Sequence, residues 1–110
     1  MPLYIESPIT GGQIQVSEND FPDKMTWDQA KSACKELGKG WRLPSDKELR
    51  AMGEQLHKQG KGNFKDEAYW SGTHVPANWL DNYIVVTPKG GKRGARKHDL
   101  HQVRAVRTLP

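Results

Sequence analysis

The strongest concentration of charge in the chain is a glycine-rich segment that begins at position 89 and ends at position 97. Its nine residues contain five cations, namely Lys89, Lys92, Arg93, Arg96 and Lys97. Cations held this close repel one another, and a bound polyanion relieves that repulsion. A sulfated glycan, a nucleic acid or an acidic protein surface would each serve. The alternative is a solvated hairpin whose charge only aids solubility.

A polar stretch around Trp79 is the second candidate. Asn78, Asp81 and Asn82 surround this tryptophan, whose indole can stack on a sugar or a base, or simply cover the core. Calcium normally takes about 6 to 8 oxygen ligands, including several carboxylates, and this stretch supplies too few. We therefore predict that Trp79 and Asn78 contact ligand together with the five cations, and that no metal or other cofactor takes part.

The remaining reactive side chains do not form a catalytic set. His98 and His101 lie three residues apart, but they lack the further ligands that a zinc site needs. Cys34 is far away, on the apolar stripe of a predicted helix, where a thiol should be buried and inert. No acid, base and nucleophile combination emerges, so we predict that the protein is not an enzyme.

Two other groups of residues are distinctive, and both have structural interpretations. The aromatic motifs at 41–44 and 69–71 should pack in the core, because large rings in a small domain are usually buried. Arg104 and Arg107 alternate on a predicted strand and should lie on a solvated face or pair with Asp and Glu. Ligand contact by these two arginines, or by Arg42, is the alternative.

Two helices are predicted by capping-box spacings, Thr26 with Gln29 and Ser45 with Glu48. The first helix should cover 27–37 and the second 46 to about 58. Gly53, inside the second helix, costs about 1 kcal/mol against Ala and suggests a close packing contact. The linker is longer than the turn of about 3 to 4 residues in a helix-turn-helix motif, so we discount that motif.

Strand patterns lie before and after the helices, at 3–5, 13–17, 68–73, 83–87 and 102–109, with an extended passage at 41–43. The basic segment should then form a hairpin loop or an extended arm between the last two strands. Two helices followed by an antiparallel sheet predict an α+β fold. The length of 110 residues fits a single domain over 1–110.

The composition and the N-terminal residues bear on the cellular location of the protein. The net charge is +4 and only one cysteine is present, so no intrachain disulfide can form. The N-terminus lacks the features of a secretory signal, and no apolar stretch is long enough to span a bilayer. We therefore favour a cytoplasmic or virion-associated protein that does not insert into membranes, with a domain of a larger secreted parent as the alternative.

Five motifs in order carry a family resemblance: residues 25–30, Cys34, residues 40–49, residues 69–73 and residues 103–107. Over roughly 13–107 the chain resembles a bacterial and phage family that includes the C-terminal domain of the Legionella collagen-like adhesin. The resemblance implies a C-type-lectin-like fold with two helices, a twisted antiparallel sheet and long loops that display a binding surface. Ala105 stands where a cysteine often occurs in this family, which removes a possible bridge to Cys34.

The leading functional hypothesis is a non-enzymatic module that binds an acidic glycan or another polyanion. The basic hairpin would supply attraction and Trp79 a stacking surface. A phage or bacterial nucleic-acid-binding protein acting inside the cell is the first alternative. The second is a protein-interaction adaptor in which charge only steers association.

Overall fold

The computed structural model describes residues 3–75 and 82–109. Its elements, in chain order, are β1 (Leu3–Glu6), β2 (Gln13–Val16), α1 (Trp27–Glu36), β3 (Trp41–Arg42), α2 (Asp46–Gln55), a 3₁₀ turn (His57–Gln59), β4 (Tyr69–His74), β5 (Asn82–Val86), β6 (Lys92–Arg96) and β7 (Val106–Thr108). The predicted α+β class is confirmed. Within the described ranges, neither helix is long and apolar enough to cross a membrane.

Both helices begin where the capping boxes predict. The Gln29 N–H donates to the Thr26 hydroxyl at 3.4 Å, and the Thr26 N–H donates to Oε1 of Gln29 at 3.1 Å. Ser45 and Glu48 make the same reciprocal pair. The second helix is shorter than predicted, because its last turn tightens into the 3₁₀ turn. Gly60, at φ 71°, then ends that turn.

The strands form two antiparallel sheets rather than the single sheet predicted after the helices. One sheet has the order β1-β2-β7-β3 and the other the order β4-β5-β6. Strand β7 returns from the end of the chain to pair between β2 and β3. Local patterns do not specify such distant pairing, so the sequence predicted most strands but not how they group.

The basic segment also differs from its prediction. The hairpin turn contains Lys89 and two glycines, and Gly90 adopts a φ of 102° there. Residues Lys92–Arg96 form β6, which pairs along its whole length with β5. Ala95 on this strand is buried. The segment thus belongs to a hairpin, as one of the two predictions states, but most of it is strand and not loop, because pairing with the strongly β-prone β5 extends it.

Two clusters of buried side chains fill the interior. One packs α2 against β1, β2 and β7, and the other surrounds Trp70 between α1 and the three-stranded sheet. Tyr69 and Trp70 are buried as predicted, while Trp41 is only half-buried. Cys34 is buried in the second cluster, and that burial raises its pKa to about 12. The predicted inert thiol is consistent with this environment.

Arg104 lies at the centre of the molecule and not on a solvated face. Its side chain is fully buried and pairs with Asp20 at 2.8 Å. The guanidinium also donates to the carbonyl oxygens of Ser17, at 3.1 Å, and Gly62, at 2.7 Å. Of the two interpretations of this arginine, the pairing with an acid is confirmed and the exposed face is wrong.

Replacing Gly53 with Ala should destabilise the protein, although Ala is the better helix former. A Cβ at this position would lie 2.2 Å from the carbonyl oxygen of Pro88, so backbone must move. We expect Gly53→Ala to lower the free energy of unfolding by about 1 to 3 kcal/mol, measured by urea denaturation. The exposed neighbour provides a control, since Glu54→Ala should change stability by less than about 0.5 kcal/mol. Stabilisation by Gly53→Ala would show that the contact with Pro88 is loose.

Arg104→Met should be far more damaging than a similar change on the surface. Removal of the cation leaves the Asp20 carboxylate buried without its partner, which typically costs about 3 to 5 kcal/mol. Arg50→Met, at an exposed position of α2, should change the midpoint of urea denaturation little. A loss below about 1 kcal/mol for Arg104→Met would mean that the ion pair contributes little beyond an apolar side chain.

Candidate functional site

The five predicted cations do not form one continuous charged patch. Three of them pair with carboxylates on three different parts of the molecule. Lys89 lies 3.2 Å from Asp66, Lys92 lies 3.3 Å from Asp46 at the start of α2, and Lys97 lies 3.5 Å from Asp28 on α1. These exposed pairs are individually weak, but together they already relieve much of the repulsion within the segment.

Arg93 and Arg96 are the members of the segment whose guanidinium groups have no acidic partner among the described residues. They occupy opposite faces of β6, since Arg93 pairs with Val85 and Arg96 with Asn82. The Arg96 backbone N–H donates to the Asp99 carboxylate at 3.2 Å. The strand therefore directs its two free charges to different sides of the sheet.

Trp79 and Asn78 lie outside the described residues, so their predicted contacts remain predictions. The described residues that precede and follow this segment in the chain pair with one another. The Val75 N–H donates to the Asn82 carbonyl oxygen at 3.0 Å, and His74 pairs with Tyr83. Both His74 and Tyr83 line a cleft.

This cleft has a volume of about 440 Å³, within the usual size range of small-ligand sites. It lies between α1 and strands β3, β4 and β5. Its lining is aromatic and basic, and consists of Trp27, Lys31, Lys35, Trp41, Arg42, Leu43, Gly72, His74 and Tyr83. The aromatic cleft, as we call it below, is the best-formed candidate site among the described residues.

Stacked rings hold the wall of the aromatic cleft in place. The Trp27 and Tyr83 rings are 3.8 Å apart between centroids and nearly parallel, at 13°. His74 meets Tyr83 edge-on at 5.1 Å. The indole N–H of Trp27 donates to the Ser71 carbonyl oxygen at 3.0 Å. Because α1 and the sheet together fix these rings, the wall is organised before any ligand arrives.

Lysines surround this aromatic wall. The Lys31 ammonium lies 5.3 Å from the Trp27 ring centroid, and the Lys97 ammonium lies 5.2 Å from it. Such cation–π contacts at exposed sites contribute about 0.5 to 1 kcal/mol. Lys35 follows Lys31 by one helical turn on the same face of α1. Neither Lys31 nor Lys35 has an acidic partner in the described part of the chain, so both are available to an anion.

Arg42 lines the cleft but its charge is already neutralised. Its guanidinium donates to both carboxylate oxygens of Glu48, at 2.7 and 2.9 Å, and to the Thr108 hydroxyl at 2.7 Å. Burial by itself would raise the pKa of the Glu48 carboxyl. The hydrogen bonds that the carboxylate accepts from Arg42 and from the Ser45 backbone N–H outweigh this effect, so the pKa of Glu48 is lower than its ordinary value. Arg42 therefore holds β3 and the cleft wall in position, and Glu48 balances its charge.

The polar groups of the cleft lining are mostly hydrogen-bond donors. The described residues that line it supply ring faces, the cationic N–H donors of Lys31, Lys35 and Arg42, the Tyr83 hydroxyl and the His74 imidazole, and none of them is Asp, Glu, Ser or Cys. Over 3–75 and 82–109, no group of three or more His, Cys, Asp or Glu side chains could hold a metal ion. The arrangement suits a ligand with a flat apolar face and several acceptor oxygens.

The sequence carries one signal for the cleft that our predictions do not include. Trp27, Lys31 and Lys35 are spaced four residues apart and thus share one face of α1. Tyr83 and His74 come from strands whose pairing with each other could not be read from a local pattern.

Comparison with known proteins supports the fold and identifies no family. The sequence matches no family model and no curated protein. The crystal structure of botrocetin is similar with a TM-score of 0.58 and 14% identity, covering 87% of this chain and 91% of that one. A chain in the complex of a mutant von Willebrand factor A1 domain with botrocetin is similar at 0.58 and 12% identity, with the same coverage.

Identities this low relate the folds and not the ligands. The likeness supports the predicted C-type-lectin-like architecture. The resemblance to the adhesin domain family stays a prediction, because no comparison bears on it. The chain therefore has an α+β fold, with two helices and antiparallel sheets, of the kind found in the C-type-lectin-like protein botrocetin.

Proposed function

We propose that this protein is a non-enzymatic binding module that recognises an acidic glycan or another polyanion through the aromatic cleft. The observation that carries the proposal is a rigid aromatic lining, built on the stack of Trp27 and Tyr83, beside Lys31 and Lys35, which have no acidic partner among the described residues. The half-buried Tyr83 and Trp41 rings present apolar surface to a ligand ring, and the ammonium groups attract its acidic substituent. The site is preorganised, so binding orders few side chains.

The basic segment has a secondary role in this proposal. Lys97 connects this segment with the aromatic cleft, since its ammonium approaches Trp27 of the cleft wall as well as Asp28. Arg93 and Arg96 extend the positive surface away from the cleft and attract neighbouring units of a polymer. Trp79 and Asn78, which follow His74 in the chain, remain proposed ligand contacts.

Two alternatives use the same surfaces. A nucleic acid would also present rings and anions, and stacking with phosphate attraction is how single strands are bound without sequence preference. A protein-interaction adaptor is favoured by one observation, that a similar structure is a complex of botrocetin with a protein domain. We rank both below the glycan, because the aromatic cleft is built on a small-ligand scale.

The proposal is tested by titrating heparin and duplex DNA against the protein at two salt concentrations. The double variant Lys31→Gln, Lys35→Gln removes both unpaired cations while keeping side chains that favour helix. We expect it to bind heparin at least about tenfold more weakly, since each charge-assisted hydrogen bond contributes about 1.5 to 3 kcal/mol. Binding should also weaken with salt, because the attraction is screened.

A matched control separates the site from the net charge. Lys58→Gln with Lys61→Gln removes the same number of charges from exposed positions outside the cleft lining and should change heparin affinity by less than about twofold. A second variant, with Lys92, Arg93, Arg96 and Lys97 changed to Ser, measures the contribution of the basic segment. Equal losses in the two double variants, with a larger loss when all four charges of the basic segment are removed, would indicate attraction by net charge alone. Absence of heparin and DNA binding by the intact protein would overturn the proposal and favour the adaptor.

A further inference from the structure

We propose that the aromatic cleft takes a single pyranose ring carrying a sulfate ester, and that this ring lies flat against Gly72 of β4. This inference rests on the proposed binding of an acidic glycan and names the unit that is recognised. Gly72 is then the residue that determines which ligand shape the cleft accepts. Neither the pattern of the sequence nor the comparisons assign a role to this glycine.

Gly72 occupies an irregular part of β4. The register with β5 shifts between Trp70, which pairs with Val85, and His74, which pairs with Tyr83. Such bulges twist a strand and redirect its backbone, and they are frequent next to binding sites. Here the irregular part is firmly held, because the Gly72 N–H donates to the Pro44 carbonyl oxygen at 2.8 Å. The exposed backbone of Gly72 thus forms a fixed surface of the cleft.

The protein has no internal need for a glycine at this position. Gly72 lacks the positive φ found at six other glycines, so its backbone conformation is open to any residue. A Cβ would lie 3.8 Å from the Leu43 Cβ and carbonyl oxygen, which is ordinary contact. A glycine inside a strand weakens it and often marks a bulge or a place where a ligand approaches the backbone closely; the bulge here would leave room for a Cβ. The absence of a side chain at Gly72 leaves room in the cleft.

The polarity of the lining selects a sulfated ring over a neutral one. Three of the polar side chains that line the cleft, Lys31, Lys35 and Arg42, are cations that only donate hydrogen bonds. Side-chain acceptors are restricted to the Tyr83 hydroxyl and one nitrogen of a neutral His74, and no carboxylate or amide is present to accept bonds from several hydroxyl groups. A sulfate ester replaces a hydroxyl donor with acceptor oxygens and carries the charge that Lys31 and Lys35 attract. The small number of acceptors disfavours a nucleobase, whose exocyclic amino groups require them.

The test follows quenching of tryptophan fluorescence while monosaccharides are added to the full chain, since Trp27 and Trp41 line the cleft. The probes are glucose 6-sulfate, methyl glucoside as the neutral ring, and adenosine monophosphate as the nucleotide. We expect glucose 6-sulfate to bind at least about tenfold more tightly than either of the others, as the loss of one charge-assisted contact implies.

Gly72 is tested by a series of increasing side-chain volume. Gly72→Ala should weaken binding of glucose 6-sulfate slightly and Gly72→Leu by at least about tenfold, because the larger side chain fills the space of the ring. Thermal unfolding shows which variants are folded, and Gly72→Ala with Gly72→Ser keep the series informative if Gly72→Leu does not fold. Exposed Ser32→Leu on α1 is the control and should leave affinity unchanged.

The outcomes distinguish this inference from the function on which it rests. Binding of glucose 6-sulfate that is unaffected by Gly72→Leu overturns the placement of the ring, and a preference for adenosine monophosphate overturns the sulfated sugar. Binding of heparin without binding of glucose 6-sulfate also overturns the inference, yet leaves the acidic-glycan proposal standing. Absence of heparin binding by the intact protein removes both.

Discussion

A buried ion pair between Arg104 and Asp20 is the constraint on which the rest of the structure depends. The Asp20 carboxylate accepts a second hydrogen bond from the Tyr69 hydroxyl at 2.7 Å, and that hydroxyl accepts the Lys65 N–H at 2.9 Å. The Arg104 guanidinium also stacks 4.1 Å from the Phe64 ring centroid. A charge pair away from water is tolerated only where such additional bonds satisfy it. The network therefore ties the loop before α1, the loop before β4 and the chain leading to β7 into one arrangement.

That arrangement brings the two sheets together and so makes the aromatic cleft. With β7 held between β2 and β3, the Arg42 side chain on β3 reaches Glu48 on α2 and Thr108 on β7. Trp41 lies on the same strand, β3, and the Arg107 guanidinium lies 5.1 Å from the centroid of the Trp41 ring. One wall of the cleft is thus a consequence of how the end of the chain docks. The opposite wall comes from α1, whose position is fixed by the stack of Trp27 on Tyr83.

The positions of the carboxylates in the fold change the interpretation of the basic segment. In the sequence its five cations look like a polyanion site in themselves, but in the fold three of them meet carboxylates on separate elements. Paired surface charges attract a polymer weakly. The lysines on α1 are fewer, yet they have no acidic partner in the described part of the chain and lie beside aromatic rings. For this reason the proposed site is centred on two lysines and the aromatic lining, with the longer run of charge in a supporting role.

The sequence by itself determined the class of fold, the starts of both helices, most strands and the burial of Cys34, Tyr69 and Trp70. These features follow from local causes: capping boxes, glycine stops and the two periodicities of apolar residues. Only the tertiary structure decided that Arg104 is buried, that Lys92–Arg96 is a strand, and that Trp27, Gly72 and Tyr83 share one cleft. Each of these three features depends on contacts between residues that are distant in sequence. Strand register and the neutralisation of buried charge determine those contacts, and no short sequence pattern encodes the register or the charge pairing.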